Sequence, residues 1–202
     1  MVNYNNPPLA NPGALRFAND PSLFEVQRNC NFEFIVTDLD NIKRAGAMGA
    51  EADAYISNAQ EMLRLSVTSA FIPHFKQDPV AVKRGNSTIK YAGVPSFDAG
   101  TLEFNDFVGA DTKSILMAWQ NLSYNVETEL VGSMANPNGK YKKDCYLIEY
   151  TPDYRKIRTW KLYGCWISSL SENGYSADDG GKHSISATIE YDYAKIDLSG
   201  AV

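Results

Sequence analysis

Alternation of apolar and polar positions recurs along this chain and predicts a series of β-strands. The segment from Ser184 to Tyr193 alternates without a break. One side of it carries Ile185, Ala187, Ile189, Tyr191 and Tyr193. The other side carries Ser184, Ser186, Thr188, Glu190 and Asp192. Alternation this regular is typical of a strand with one buried face and one solvated face.

The same period predicts strands elsewhere in the chain. The segments concerned are 32–36, 63–72, 101–108, 145–150 and 157–170. In the last of them Trp160, Leu162, Gly164 and Trp166 are expected to share one face. The dipeptide Gly85-Asn86 predicts a tight hairpin turn between two β-prone runs. The sequence at 151–154, TPDY, predicts a turn that joins two further strands.

Helical spacing appears in two places. After Asp111, a plausible N-cap, the apolar residues recur on one face and predict a core helix. The members of that face are Ile115, Leu116, Trp119 and Leu122. Residues 43–60 form a long excursion between strands, which predicts either a surface helix or a contact arm. Its helical face would consist of Met48, Ala52, Tyr55, Ala59 and Met62.

These elements predict a mainly β fold. We expect an antiparallel β-sandwich or barrel of about seven strands, with one packed α-helix and a second helix or long loop in the 43–60 insertion. Residues 1–22, rich in Asn, Pro and Gly, are expected to form an extended amino-terminal arm. Residues 23–202 are expected to form a single domain.

Composition narrows the function classes. The chain has 19 basic and 24 acidic residues and a net charge of −5, which argues against a basic nucleic-acid-binding surface. No apolar run is long enough to span a membrane, and no secretory signal is visible, so we expect no membrane insertion. Three widely spaced cysteines, Cys30, Cys145 and Cys165, favour buried thiols in a reducing cytoplasm over a disulfide framework.

Candidate chemistry is sparse. His74 and His183 lack partners at metal-ligand spacing, so a zinc site is not predicted. No nucleophile–base pattern, P-loop or dinucleotide fingerprint is present, so we predict no catalytic residues and no cofactor. The loop from Asp178 to His183 combines carboxylates, glycines, a lysine and a histidine, and it is the best alternative position for an active site.

Four segments, in order, resemble the tail tube proteins of contractile-tailed bacteriophages. PSLFEV at 21–26 resembles the family's opening before its first strand. KYAGVPSFDAGTLEF at 90–104 and DTKSILMAWQN at 111–121 are similar to its central strand and its single helix. Gly164–Trp166 and the acid-Tyr-acid-Tyr ending at 190–193 resemble its closing strands. The likeness covers about residues 21–198 and is carried by order and spacing.

The resemblance implies a non-enzymatic structural subunit of the virion tail, assembled in the host cytoplasm. Its implied partners are further copies of itself in stacked hexameric rings, the tail sheath, baseplate and terminator proteins, and tape measure protein or DNA in the lumen. The family places its stacking contact in the long early connection. Met48, Tyr55 and Met62 are therefore candidate inter-ring contacts.

Several questions stay open at the level of sequence. Ser184, Ser186, Thr188, Glu190 and Asp192 are candidate lumen-lining residues, but periodicity equally allows them on the outer surface or at a subunit seam. The alternatives to a phage tube subunit are a tail terminator, a tube initiator or the inner tube of a related contractile injection system. A ligand-binding β-sandwich and an enzyme that uses the 178–183 loop are the alternatives outside that family.

Overall fold

The computed structural model describes residues 25–40, 42–43, 55–109, 111–135, 140–176 and 180–197. The first half contains β1 (Phe32–Val36), β2 (Ile42–Lys43), β3 (Tyr55–Ile56), α1 (Ala59–Ser66), β4 (Val67–Ser69), β5 (Phe75–Gln77), β6 (Val80–Arg84), β7 (Ser87–Tyr91), β8 (Pro95–Phe97) and β9 (Gly100–Asn105). The second half contains α2 (Thr112–Asn121), β10 (Tyr124–Asn125), β11 (Leu130–Val131), β12 (Lys143–Tyr150), β13 (Lys156–Glu172), β14 (Ser184–Glu190) and β15 (Tyr193–Asp197).

One curled antiparallel sheet of seven strands organises the subunit, in the order β1-β12-β13-β14-β9-β4, with β15 also paired to β13. The 17-residue β13 belongs to both halves of this sheet. Its first part pairs with β12 and β15, and its second part, 166–172, pairs with β14. We call β1, β12, β15 and the first part of β13 leaf A. The strands β4, β9, β14 and the second part of β13 form leaf B.

The chain passes from leaf A to leaf B at Gly164. This residue has a left-handed backbone (φ +68°), and a Cβ there would lie 2.3 Å from Oδ2 of Asp192, in the link between β14 and β15. The Asp192 amide donates to the Tyr163 carbonyl oxygen at 2.9 Å, so β13 bends at the level where β14 passes into β15. Glycine is needed here because any side chain would be both strained and obstructed.

The bend reverses the side-chain alternation along β13 and from β14 to β15. Leu162 is buried before it, and Cys165 and Ile167 are buried after it. Trp166 therefore does not share a face with Leu162 as the sequence predicted, and it lies opposite Glu190. Tyr193 likewise leaves the apolar face of Ile185 to Tyr191 and is 40% exposed in leaf A.

One hydrophobic core lies between the two leaves and the helices. Leaf A contributes Phe34, Leu147 and Leu162, and leaf B contributes Leu102, Phe104, Ile185 and Ile189. In α2, Ile115, Leu116 and Trp119 are buried, and Leu122, which follows the helix, packs against the same core half-buried. Asp111 occupies the N-cap position of α2 without a side-chain capping hydrogen bond to the helix. The mainly β fold with a packed helix is confirmed.

Residues 43–60 were expected to form either a surface helix or a contact arm, and within them Tyr55 lies in β3, paired with Lys43 of β2. The prediction of a strand from Leu63 is wrong, because α1 continues to Ser66 and β4 covers only Val67–Ser69. The helix forms because it buries Ala59, Leu63 and Ser66 on one face, whereas strand alternation would have buried Leu65, which is 67% exposed.

Both predicted hairpin turns are present. Arg84 pairs with Ser87 across Gly85-Asn86, with Gly85 at a φ of 60°. Tyr150 pairs with Lys156 across the turn that contains residues 151–154. The predicted strand at 101–108 is also present, but β9 ends at Asn105.

Candidate functional site

The solvated side of leaf B is a sheet surface rich in hydroxyl groups. On β14, Ser184, Ser186, Thr188 and Glu190 are half-buried and alternate with the buried residues Ile185, Ala187 and Ile189. Register places Glu103 beside Ser186 and Thr101 beside Thr188. We call this surface the hydroxyl face. Its members are Ser69, Thr101, Glu103, Asn105, Trp166, Ser169, Ser171, Ser184, Ser186, Thr188 and Glu190.

No positive charge is built into the strands of the hydroxyl face. The segments 67–69, 100–105, 166–172 and 184–190 contain no lysine or arginine. Two carboxylates, those of Glu103 and Glu190, are part of the face itself. The surface therefore offers hydrogen-bonding hydroxyls and a little negative charge, without a group that would hold an anion.

Asp192 differs from the other four candidate lumen residues. It lies after β14, at the bend opposite Gly164. Its two carboxylate oxygens accept from Nζ of Lys142 at 2.6 and 2.8 Å. The carboxylate is thus neutralised by an ion pair at the junction of the leaves, and it adds little negative charge to the hydroxyl face.

The solvated side of leaf A differs in that it carries lysines and aromatic rings. Tyr163 and Tyr193 stack with ring centroids 4.4 Å apart. Nζ of Lys161 lies 4.5 Å from the Tyr163 centroid, and Nζ of Lys195 lies 5.6 Å from that of Tyr193. A hydrogen bond to Tyr146 and the nearby carboxylate of Asp144 raise the pKa of Lys161. This tyrosine–lysine face thus presents aromatic rings and two lysines, one of which, Lys161, is paired with the carboxylate of Asp144 at 3.4 Å.

A two-stranded hairpin projects from the subunit between β5 and β8. Its outer part, β6 and β7, is exposed at every position. Cross-strand pairs Val80–Tyr91 and Val82–Ile89 put four apolar side chains on one side, with exposures between 41% and 54%. We call residues 79–92 the arm. A lone amphipathic hairpin is marginally stable in water, so this apolar side needs a partner.

The base of the arm is anchored by aromatic contacts. The rings of Phe75 and Phe97, on the paired strands β5 and β8, lie 6.1 Å apart. Phe97 also lies 5.6 Å from Tyr191, which is buried at the end of leaf B. The arm is therefore held to the domain by its base, while β6 and β7 extend beyond the core.

A second exposed apolar surface follows α2. Residues 122–135 contain the short β10–β11 ladder, and the side chain of Asn125 accepts from the amides of Glu127 and Thr128 in the turn between the strands. Their exposed apolar side chains are Tyr124, Val126, Leu130, Val131 and Met134. We call this segment the acidic shelf, because it carries Glu127 and Glu129 and no basic residue.

Of the three residues predicted to make inter-ring contacts, Met48 lies outside the described residues. Tyr55 lies in the β2–β3 ladder, and Met62 packs half-buried against the core of its own subunit. The apolar side of the arm was not predicted from the sequence. The alternation of Val80, Val82, Ile89 and Tyr91 about the Gly85-Asn86 turn is the signal that would have found it.

The loop considered for catalysis holds its histidine in structural contacts. Asp178 and Asp179 lie outside the described residues. His183 Nδ1 is 3.0 Å from Oδ2 of Asp106, its Nε2 is 3.2 Å from the Asn173 carbonyl oxygen, and its ring stacks on Tyr175. These contacts tie the start of β14 to the end of β9. Both ring nitrogens are engaged by the subunit itself.

Thiols and metal-ligating side chains provide no further candidate site in the described part of the chain. Cys145 and Cys165 are buried free thiols, and burial raises the pKa of Cys145 well above its usual value. The described residues hold no group of three His, Cys, Asp or Glu side chains placed to bind a metal ion. In that same part of the chain no helix is long and apolar enough to cross a membrane.

Comparison with solved structures identifies the fold. A chain of the sheath–tube complex of the PVC extracellular contractile injection system matches with a TM-score of 0.60 and 15% identity, over 89% of this chain and 97% of that one. A chain of the anti-feeding prophage tube terminating cap matches with a TM-score of 0.57 and 16% identity, over 86% and 92%. This chain has the contractile tail tube fold.

A third match, to a chain of the PVC sheath/tube terminator, has a TM-score of 0.54 and 18% identity over 83% of this chain and 93% of that one. The tail tube fold is thus matched along nearly the whole length of all three chains. No family model and no curated protein matches the sequence. At these identities the likeness establishes the fold, in agreement with the resemblance found in the sequence.

Proposed function

We propose that this protein is the structural subunit of a tail tube, in which stacked hexameric rings enclose a channel for DNA delivery. The contrast between its two solvated sheet faces carries the proposal. A wall that DNA slides past must not bind phosphates, and each lysine or arginine on such a wall would add an attraction. The strands of the hydroxyl face contain none, whereas the tyrosine–lysine face presents Lys161 and Lys195. Leaf B is therefore the better channel wall.

Ring closure follows from the edges of leaf B. Among the described strands, β4 has a neighbour on one side only, and so does the second part of β13, beyond the point where β12 ends. Open edges invite pairing with another chain. We propose that β4 of one copy pairs with the second part of β13 of the next, so that the leaf B sheets join into one barrel. Two different edges on one subunit suit a closed ring.

The tyrosine–lysine face would then lie on the outside of the tube, facing the sheath. The other proposed partners are baseplate and terminator proteins at the tube ends, and tape measure protein or DNA inside. We further propose that the amino-terminal arm, 1–22, and the segment 43–60 contact neighbouring rings or the sheath. The particle is assembled in the host cytoplasm and acts as part of a virion tail, without catalysis.

Purified protein is expected to form hexameric rings at low concentration and tubes of indefinite length at high concentration. Negative-stain microscopy and sedimentation would measure both. Protein that stays monomeric at every concentration, even with sheath or baseplate partners, would contradict the proposal.

Matches to terminating-cap and terminator structures make a terminator or initiator the second candidate. Such a protein would form single rings that cap tubes and would not elongate them.

Positive charge on the hydroxyl face is expected to slow DNA ejection without preventing assembly. The variant is Glu103→Lys with Glu190→Lys, and Asp192 is left unchanged because its pairing with Lys142 supports the bend. Each lysine adds a phosphate attraction that is repeated around every ring, so the delay should shrink as salt is raised. Fluorescence of released DNA would measure the rate. The matched control is Lys195→Glu on leaf A, and equal rates for all three proteins would show that leaf B does not line the channel.

A further inference from the structure

Two exposed surfaces of this subunit complement each other in both hydrophobicity and charge. We propose that the arm of one copy docks on the acidic shelf of a second copy. This inference rests on the proposed tube function, and it names the contact that the general proposal leaves unassigned. The partner surface is thus a second copy of this chain, at its residues 122–135.

The apolar components match in kind. The arm presents Val80, Val82, Ile89 and Tyr91 as a flat strip on one side of a two-stranded ribbon. On the shelf, the cross-strand pair Tyr124–Val131 lies on one side of the two-stranded ladder, with exposures of 47% and 77%, whereas Leu130 shares the other side with Asn125. Large exposed apolar groups are typical of interaction sites. Contact between the apolar strip of the arm and the Tyr124–Val131 pair would remove both from water.

The two segments carry charges of opposite sign. Within residues 79–92 the ionisable side chains are Lys83, Arg84, Lys90 and Tyr91, and there is no acidic residue. Register places Arg84 on the apolar side of the arm, and Lys83 and Lys90 on its other side. Within residues 122–135 the charged residues are Glu127 and Glu129, and there is no basic residue. Opposite charges on two contacting segments specify a partner and suppress wrong pairings. Contact between two arms, or between two shelves, would bring like charges together.

The contact must join different copies. In the single subunit both surfaces remain exposed, so the arm does not cover the shelf of its own chain. Since the two surfaces differ, each copy can offer an arm to one neighbour and a shelf to another. When two copies bind through such a heterologous contact, one arm and one shelf remain free, so further copies can add to form a ring or a stack.

Charge reversal tests this pairing with the full-length protein. One variant carries Lys83→Glu and Arg84→Glu, and the other carries Glu127→Lys and Glu129→Lys. Each variant alone sets like charges against each other at every contact, and we expect about a tenfold loss of sedimentable assembly. In an equimolar mixture, each arm meets a shelf of opposite charge on the other variant, and assembly should return to within about twofold of wild type.

The control reverses two exposed lysines outside both surfaces, Lys156→Glu and Lys182→Glu, and should assemble normally. A photo-crosslinker placed at Val82 in the wild-type chain should attach to residues 122–135 of another copy. Tubes with rescue by mixing support both proposals. Rescue in oligomers that are not tubes keeps the contact and rejects the tube. Tubes without rescue, or crosslinks elsewhere, reject the contact alone, and wild-type protein that never self-associates rejects both.

Discussion

Deleting residues 79–92 and closing β5 to β8 with a short glycine-containing turn is expected to yield a folded monomer that no longer assembles. The arm contributes no buried residue to the core, since every position of β6 and β7 is exposed. The base stays anchored by Phe75, Phe97 and Tyr191. We therefore expect the urea midpoint to change little, with a free-energy change within about 0.5 kcal/mol. Sedimentable polymer should fall to background.

A pair of matched double variants separates the two sides of the arm. Val82→Ser with Ile89→Ser removes the centre of the apolar strip, and this variant should lose most assembly. Ala81→Ser with Thr88→Ala alters the opposite side of the same two strands, and this variant should assemble like wild type. Sedimentation and electron microscopy of both proteins would decide the matter. If the deletion variant still forms tubes, the arm is not an assembly element.

The strand content of this fold and the solvated side of β14 could largely be predicted from the sequence. The alternation from Ser184 to Glu190 depends only on a period of two, and the structure places those residues as that period predicts. The Gly85-Asn86 turn is equally local, because its geometry depends on a residue that tolerates positive φ. Both features need no knowledge of distant parts of the chain.

The bend at which the chain crosses from leaf A to leaf B could not be predicted from the sequence in the same way. Gly164 looks like one small residue in a long strand, and nothing in its sequence neighbourhood states that Asp192 faces it. The reversal of alternation at that point moved Trp166 and Tyr193 to sides that a simple period does not predict. The sides on which these two residues lie depend on pairing between strands that are far apart in the sequence. The same is true of the hydroxyl face, whose lack of cations is visible only once β4, β9, β13 and β14 are placed side by side.

Helix α1 shows a second limit of prediction from the local sequence. Residues 63–67 satisfy a strand period through Leu63, Leu65 and Val67, and residues 59–66 satisfy a helical period through Ala59, Leu63 and Ser66. Tertiary contact resolves the ambiguity. The Ser66 hydroxyl bonds with the Met62 carbonyl oxygen at 2.7 Å and with the Thr112 hydroxyl at 2.9 Å. That buried polar pair joins α1 to the start of α2, and a strand at the same residues would leave it unsatisfied.

Replacing Trp119 with alanine is expected to cost about 3–5 kcal/mol of folding free energy. Trp119 is 1% exposed and fills the space between α2 and the sheet, and its indole Nε1 donates to the Tyr141 carbonyl oxygen at 3.1 Å. The substitution removes a large apolar volume and leaves that carbonyl without its donor. Because a domain of this kind is stabilised by only about 5–15 kcal/mol, much of the total would be lost. Urea unfolding followed by circular dichroism would measure it.

The conservative variant Trp119→Phe divides that loss into two parts. Phenylalanine keeps most of the apolar packing and lacks the indole donor, so we expect a cost of about 1–2 kcal/mol. Met117→Ala, on the exposed side of the same helix, controls for helix propensity and should change stability by less than about 0.5 kcal/mol. A cost for Trp119→Ala below about 1 kcal/mol would show that the indole is not a core residue. Tyr141 lies two residues before β12, so loosening Trp119 should also loosen leaf A beside the Gly164 bend. Trp119→Ala should therefore reduce assembly through lost folding, whereas the arm deletion is expected to abolish assembly in a subunit that stays folded.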